Sequence, residues 1–153
     1  MGLDIVKLDI AYCTDIAEIL NSDNRLHMAL TPNCPHKETA GQEYFDKCMA
    51  WESRKNGCNF IIINNGKPIG SISYCEKNYK IAGCGYWIKS NLWGNGYGTE
   101  AFSMFLPIIK NAGYKYVTAS ILKENEASLK IWAKYTTDIK ESENRYIPTI
   151  KLS

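Results

Sequence analysis

The sequence predicts a mixed α/β fold, an α+β arrangement in which helices flank one mixed sheet. Apolar runs with the two-residue period of strands alternate along the chain with stretches of helical periodicity. The pair Asn65-Gly66 separates two such runs and is typical of a tight hairpin. Alternating glycines from Gly94 to Gly98 connect a predicted strand to a predicted helix. Together these patterns give the element order β-α-α-β-β-β-α-β-α-β-β.

The first third of the chain is expected to form one strand and two helices. Residues 4–12 alternate apolar and polar side chains, which predicts the first strand. A short helix follows, capped by Thr14 or Asp15. Residues 22–35 are expected to be irregular, because two prolines exclude a long helix. Residues 39–54 carry an apolar stripe and predict the second helix.

The middle of the chain predicts three antiparallel strands in a meander. These strands are expected at residues 58–64, 68–76 and 81–89, joined by polar turns. The Asn-Gly pair of the first turn accepts the positive φ angles of a type I′ turn. The third strand leads directly into the glycine-rich stretch.

The last third is expected to contain two helices and three strands. Residues 97–112 have one apolar helical face, and we expect Pro107 to kink that helix or to break its hydrogen-bond ladder locally. The remaining elements are predicted as a strand at 116–122, a helix beginning at Asn125, and a hairpin of strands at 137–141 and 146–152.

Length and composition restrict the class of protein. The 153 residues suit one domain, and we expect residues 1–153 to form it. The formal net charge of +2 does not indicate a nucleic-acid partner. No apolar run has the length of a membrane helix and no signal-peptide core is present. A cytoplasmic location without membrane association is therefore expected.

Cysteine and histidine spacing does not indicate a metal site. The six cysteines form no CxxC pair, and His27 and His36 are not spaced as ligands. The cysteines are therefore expected to be reduced thiols packed in the interior. We expect no metal cofactor.

The most distinctive stretch is residues 93–101, with the sequence WGNGYGTEA. A strand, a glycine-rich turn and a helix can hold phosphate, because glycine lets the backbone approach an anion and the helix start presents free N–H groups. The stretch lacks the GxGxxG spacing of dinucleotide folds and the GxxxxGK[ST] of P-loops. The local pattern therefore fits either an anion site or a plain turn.

Three motifs together extend this interpretation. They are Gly85-Tyr86-Trp87-Ile88, residues 93–101, and Asn125-Glu126-Ala127-Ser128. In this order and at this separation they resemble the GNAT superfamily of acyl-CoA N-acyltransferases, and most closely its RimJ/RimL-like branch. The superfamily signature is [Q/R]-x-x-G-x-[G/A], and Trp93 stands at its first position, as is typical of that branch.

The resemblance implies a GNAT-like fold in which residues 81–89 and 116–122 form neighbouring strands that splay apart. It also implies that acetyl-CoA is the co-substrate and inserts its pantetheine arm there. The residues implied in binding it are Trp87, Ile88, Trp93, Gly94, Asn95, Gly96, Tyr97, Gly98, Thr99, Asn125 and Ser128. The loop would bind the pyrophosphate, and the strand edge would pair with the amides of the arm.

The resemblance further implies direct attack of a neutral amine on the thioester, with an acid protonating the leaving thiolate. Many relatives use a tyrosine of the last helix as that acid, but Trp132 stands at its position. Ser128 is therefore the candidate catalytic residue. The alternative is that Ser128 only caps or packs near the helix start.

The general base stays open. Relatives often carry a glutamate two residues before the Gly-Tyr pair, where this chain has Gly83. Glu76, Tyr86 or a chain of waters could replace it. A covalent route through Cys84 is a further alternative, although the spacing places no histidine beside it.

The acceptor is expected to be a primary amine, either a protein N-terminus or a small molecule such as a polyamine or an amino sugar. Two other classes of protein remain open. A non-catalytic acyl-CoA-binding module would bind CoA without turnover. A nucleotide-binding protein would use the glycine-rich loop for ATP or GTP, although the phosphate lysine is missing. A homodimer would be compatible with an exposed strand edge.

Overall fold

The computed structural model describes residues 2–152, which form one eight-stranded sheet with helices on both faces. The strands are β1 Leu3–Lys7, β2 Gly57–Asn64, β3 Lys67–Glu76, β4 Ile81–Ile88, β5 Tyr116–Thr118, β6 Ile121–Leu122, β7 Ile139–Glu141 and β8 Arg145–Lys151. The α-helices are α1 Cys13–Ser22, α2 Asn24–Leu30, α3 Gly41–Lys55, α4 Tyr97–Asn111 and α5 Glu126–Ala133. Two 3-10 turns, Ile10–Tyr12 and Ser90–Leu92, precede α1 and the glycine-rich loop. The predicted fold class is confirmed.

The sheet opens between its two central strands. The strand order is β1-β2-β3-β4-β5-β8-β6, with β7 paired to β8. All pairs are antiparallel except β4 with β5, and this parallel ladder joins only residues 81–83 to residues 116–118. The two strands stop pairing after Gly83, so the central sheet is splayed as expected.

Helices cover the two faces of the sheet and bury two apolar clusters. On one face α1 and α3 pack around Ile16, which is fully buried. On the other face α4 contributes Phe102 and Phe105, which are also fully buried. Because side chains alternate along a strand, β4 directs Ile88 to the α4 side and Trp87 to the α1 side. The open part of β4 therefore separates two differently lined faces.

The start of the chain differs from the sequence prediction. β1 ends at Lys7 rather than at residue 12. The reason is that Asp9 starts a 3-10 turn, in which its carboxylate accepts the N–H of Ala11 at 2.9 Å. Helix α1 then begins without a side-chain cap, so the predicted capping by Thr14 or Asp15 is wrong.

Helix α2 was not predicted, because residues 22–35 were expected to be irregular. Asp23 caps this helix by accepting the N–H of Leu26 at 3.1 Å, and the Leu26 side chain is 2% exposed. The prolines lie beyond the end of the helix, where they do not interrupt its hydrogen bonds. They exclude a long helix, as predicted, but leave room for this short one.

The predicted strand at 116–122 is divided into β5 and β6. Both strands pair with β8 in one continuous register, in which Pro148 falls opposite Ala119. Proline has no N–H to donate to a ladder, so pairing stops at this point.

The structure bears on two other local features, the turn between β2 and β3 and the proline of α4. The turn between β2 and β3 has positive φ at both central residues, 51° at Asn65 and 81° at Gly66, which confirms the type I′ turn. Helix α4 runs on through Pro107 to Asn111, so the proline does not end it.

Candidate active site

The cleft beside β4 leaves part of this strand without a neighbour. Residues 84–88 have no strand partner on the β5 side within the described part of the chain. Gly85 is exposed, and a Cβ built on it would meet no heavy atom within 4 Å. Trp87 and Ile88, both predicted to bind the arm, lie at the end of this edge. An extended ligand with amide groups could therefore add to β4 as a further strand would.

The glycine-rich loop connects this edge to α4. Gly94 and Gly96 have φ angles of 84° and 82°, and neither position has a heavy atom within 4 Å of a built Cβ. Gly96 is the N-cap of α4 and makes no side-chain cap. The first turn, which includes Gly98 and Thr99, therefore offers main-chain N–H groups and the positive end of the helix dipole to an anion.

Two loop side chains are engaged within the protein. The Asn95 amide donates to the C=O of Leu92 at 2.9 Å. The Tyr97 hydroxyl accepts from the Asn64 amide at 3.4 Å. The side chains of both predicted binding residues are thus tied to neighbouring residues.

Trp93 joins the loop to two other elements. Its Nε1 donates to the C=O of Ile88 at 2.7 Å, which fixes the start of the loop to the end of β4. The guanidinium carbon of Arg25 lies 5.0 Å from the centroid of the indole ring. Arg25 thus brings a positive charge to a loop that has no lysine or arginine in residues 93–101. No sequence pattern indicated this contact, because Arg25 belongs to the unpredicted helix α2.

Asp23 holds α2 against the turn that precedes the loop. Its carboxylate accepts the N–H of Ser90 at 2.7 Å and the Ser90 hydroxyl at 2.6 Å. Burial alone would raise the pKa of Asp23, but the hydrogen bonds from Ser90 and Leu26 outweigh it and hold that pKa below its usual value. The carboxylate is therefore charged at neutral pH, and it holds in place the 3-10 turn that leads into the loop.

Ser128 lies in the first turn of α5 and faces β4. Asn125 caps this helix by accepting the N–H of Ser128 at 3.2 Å. The hydroxyl of Tyr86 donates to Ser128 Oγ at 3.3 Å. Trp132 is instead 1% exposed and packs 4.8 Å from the ring of Phe102, so it belongs to the core. The structure thus places Ser128, but not Trp132, at the open end of the cleft.

The candidate bases Glu76 and Tyr86 lie at different ends of the cleft. Glu76 lies opposite Ala82 near the beginning of β4, and its carboxylate accepts from Asn56 and from Tyr114, both at 3.0 Å. It is therefore engaged at the closed end of the cleft. Tyr86 lies on the open part of β4. Burial raises the pKa of its hydroxyl.

Two further residues of β4 bear on the chemistry. Burial raises the pKa of the Cys84 thiol far above its usual value, which disfavours the thiolate that a covalent route needs. At Gly83, a built Cβ would lie 2.7 Å from Cε of Lys77. The alkyl chain of Lys77 thus occupies the space that a side chain at position 83 would need.

Three further properties of residues 2–152 concern metals, membranes and a second groove. Among residues 2–152, no group of three or more His, Cys, Asp or Glu side chains could hold a metal ion. Within that range, no helix combines the length and the apolar character needed to cross a membrane. A groove of about 700 Å³ lies between α1 and the ends of β3 and β4. Its lining mixes carboxylates, such as Asp15 and Glu18, with Lys67 and Lys89.

Comparison with known folds gives close matches over the whole chain at low identity. The structure of ribosomal-protein-S5-alanine acetyltransferase from Vibrio fischeri superposes with a TM-score of 0.79 and 16% identity, covering 100% of this chain and 94% of that one. RimJ of Mycobacterium smegmatis, in complex with CoA-disulfide, superposes with a TM-score of 0.78 and 17% identity, covering 97% of this chain and 81% of that one.

Sequence comparison gives the family. An uncharacterized protein of Methanocaldococcus jannaschii is 31% identical over a 109-residue alignment that covers 67% of this chain. The chain spans only 22% of that relative's length. The family model described as acetyltransferase (GNAT) domain matches residues 3–135. That match covers most of the chain, including the open edge of β4, the glycine-rich loop and α5, and the chain therefore belongs to the GNAT acetyltransferase family.

Proposed function

We propose that this acetyltransferase transfers an acetyl group from acetyl-CoA to a primary amine by direct attack on the thioester. The observation that carries the proposal is the junction of the unpaired edge of β4 with the glycine-rich loop. An arm with amide groups and a pyrophosphate needs these two features side by side. Acetyl-CoA is the acetyl donor of the GNAT family, and RimJ of M. smegmatis is described with a CoA disulfide.

The proposed binding mode divides the co-substrate among three parts of the site. N–H groups of residues 94–99 and the Thr99 hydroxyl bind the pyrophosphate. The main chain at Trp87 and Ile88 pairs with the arm. Asn125 and Ser128 line the opposite side of the cleft, near the sulfur. Arg25 adds a positive charge beside Trp93, within reach of a phosphate group.

In the proposed reaction, most of the rate enhancement comes from holding the amine against the thioester carbon. Main-chain N–H groups of β4 polarise the carbonyl. The neutral amine attacks, and Ser128 gives its proton to the departing sulfur. Position 83 is a glycine, and the carboxylate of Glu76 is engaged by Asn56 and Tyr114. In this proposal water therefore removes the proton of the amine.

We propose a protein N-terminal amine as the first acceptor to test. The Trp-Gly-Asn-Gly-Tyr-Gly-Thr-Glu-Ala form of the loop favours the RimJ/RimL-like branch. The V. fischeri structure is described as a ribosomal-protein-S5-alanine acetyltransferase. Small amines remain the second class, since the mixed charge of the groove beside α1 does not select a polycation. We also propose that the chain acts as a single domain in the cytoplasm, where a homodimer would form through the open edge of β1.

Calorimetric titration of the purified protein with acetyl-CoA, CoA and ATP tests the donor site. Binding of acetyl-CoA and CoA without ATP is expected, whereas ATP binding that excludes CoA would support a nucleotide-binding protein. A panel of peptides with free N-termini, polyamines and amino sugars then tests transfer by mass spectrometry. Tight CoA binding without product on the panel would favour a non-catalytic acyl-CoA-binding module instead.

A further inference from the structure

The hydrogen bond between Tyr86 and Ser128 has a direction that matters for catalysis. The phenol donates and Ser128 Oγ accepts, at 3.3 Å. A serine hydroxyl carries a single proton. Because its oxygen already accepts from Tyr86, the Ser128 proton is free to point to another acceptor in the cleft.

Both partners are held in place by their surroundings. The ring of Tyr86 packs 6.3 Å from that of Phe102, on the α4 side of β4. Its Cε1 lies 3.6 Å from a Cβ built on Gly98, at the first turn of α4. Ser128 is fixed through its N–H by Asn125. The hydroxyl pair therefore lies between the start of α4 and the start of α5, beside the open edge of β4.

A serine alone is a weak proton donor, because loss of its proton leaves an alkoxide. A neighbouring hydroxyl that donates to the same oxygen stabilises the developing charge and can resupply the proton. The phenol of Tyr86 is half-buried, and burial raises its pKa, so the proton is present at neutral pH before the reaction starts. A protonated hydroxyl that donates to Ser128 Oγ is what a serine acid needs behind it.

We propose that Tyr86 positions Ser128 as the acid of the reaction and resupplies its proton. This inference rests on the proposed function. The C–S bond breaks and its electron pair stays on sulfur. The Ser128 proton moves to sulfur while the Tyr86 proton moves to Ser128. The phenolate then takes a proton from solvent, which balances the proton that the amine has lost to solvent. Tyr86 is a positioning residue, because it acts through Ser128.

A double-mutant cycle with Tyr86→Phe, Ser128→Ala and both together tests the proposal. Tyr86→Phe keeps the ring against Phe102 and removes only the hydroxyl. We expect kcat to fall about tenfold or more, with KM for acetyl-CoA within about twofold. In the Ser128→Ala background the same change should have less than about a twofold effect. Tyr114→Phe is the matched control, since this buried tyrosine donates to Glu76 away from the cleft.

A binding measurement tests the role of the Tyr86–Ser128 pair without turnover. Affinities for CoA and for desulfo-CoA, which lacks only the thiol, are compared from pH 7 to pH 9.5. If the Ser128 proton points to the sulfur, the affinity for CoA rises relative to that for desulfo-CoA as the CoA thiol ionises. We expect that gain to shrink at least about twofold in Tyr86→Phe and to remain in Tyr114→Phe.

Three results would overturn the proposal. They are an unchanged kcat in Tyr86→Phe, an equal loss in the presence and absence of Ser128, and a thiol-dependent gain that Tyr86→Phe leaves intact. If wild-type protein binds CoA but acetylates no amine, the proposed function fails instead. The comparison of CoA with desulfo-CoA still decides the role of the pair in that case.

Discussion

The carboxylate of Asp23 accepts both the N–H and the hydroxyl of Ser90, at 2.7 and 2.6 Å, across 67 residues of sequence. The same carboxylate caps α2 through the N–H of Leu26. One side chain thus fixes the helix that carries Arg25 and the turn that leads to the glycine-rich loop. The order of the proposed donor site therefore depends on a residue outside it.

Replacing Asp23 should change how stability depends on pH. The folded-state pKa of Asp23 is lowered, so its contribution is complete above the unfolded value of about 3.9 and is lost as pH falls through the folded value. We expect Asp23→Asn to cost about 1 kcal/mol at pH 7, and the difference from wild type to shrink as pH falls below the unfolded value. Urea unfolding from pH 2.5 to 7 measures this. Asp46→Asn, on the exposed face of α3, serves as the control. A constant difference across that range would contradict the assignment.

Gly96→Glu should abolish binding of acetyl-CoA. The substitution places a side chain and a negative charge at the N-cap of α4, where the pyrophosphate is proposed to bind. A loss of about 100-fold or more in affinity is expected by calorimetry. Gly66→Glu is the matched control, because Gly66 has a φ of 81° against 82° at Gly96 and is equally open. Both variants carry the same backbone strain of about 1–2 kcal/mol. Unchanged affinity in Gly96→Glu would place the pyrophosphate elsewhere.

Arg25→Ala should weaken CoA binding without altering the fold. Loss of one charge beside a phosphate should raise the dissociation constant several-fold at low salt and less at high salt. Titration with CoA and with dephospho-CoA, at two salt concentrations, identifies the phosphate concerned. Arg54→Ala removes an exposed charge near the end of α3 and should leave the affinity unchanged. Equal affinities for wild type and Arg25→Ala would confine Arg25 to its contact with Trp93.

Cys84 should be inert at neutral pH. Its pKa is raised by burial, so iodoacetamide should modify the exposed Cys34 first and leave Cys84 unmodified in the folded protein. Peptide mapping after a timed reaction measures the order. Cys84→Ala should retain turnover, because the proposed attack is direct. Loss of turnover in a folded Cys84→Ala protein, together with an acetylated Cys84 in wild type, would restore the covalent route.

The sequence predicted those parts of the protein whose causes are local. The Asn65-Gly66 turn, the glycine-rich loop and the cap at Asn125 depend on a few adjacent residues, and their positions follow from residue type alone. The opening of the sheet followed from the family resemblance.

The parts that sequence reasoning missed depend on partners distant along the chain. Helix α2 is too short for a clear periodic signal, and its capping residue Asp23 also accepts hydrogen bonds from Ser90. The division of the strand at 116–122 is caused by Pro148 on another strand. The pairs Arg25 with Trp93 and Tyr86 with Ser128 form only when the sheet brings their elements together.

The alkyl chain of Lys77 over Gly83 has a consequence for the choice among amines. In the proposed direct attack, a site with no carboxylate at this point would not shift the protonation equilibrium of an arriving ammonium group there. It would capture the fraction that is already neutral. An α-amino group, with a pKa near 7.8, is neutral roughly 300-fold more often at pH 7 than a lysine or alkyl amine near 10.4. The basicity of the acceptor would then act as a filter, which favours the ends of polypeptides over their side chains.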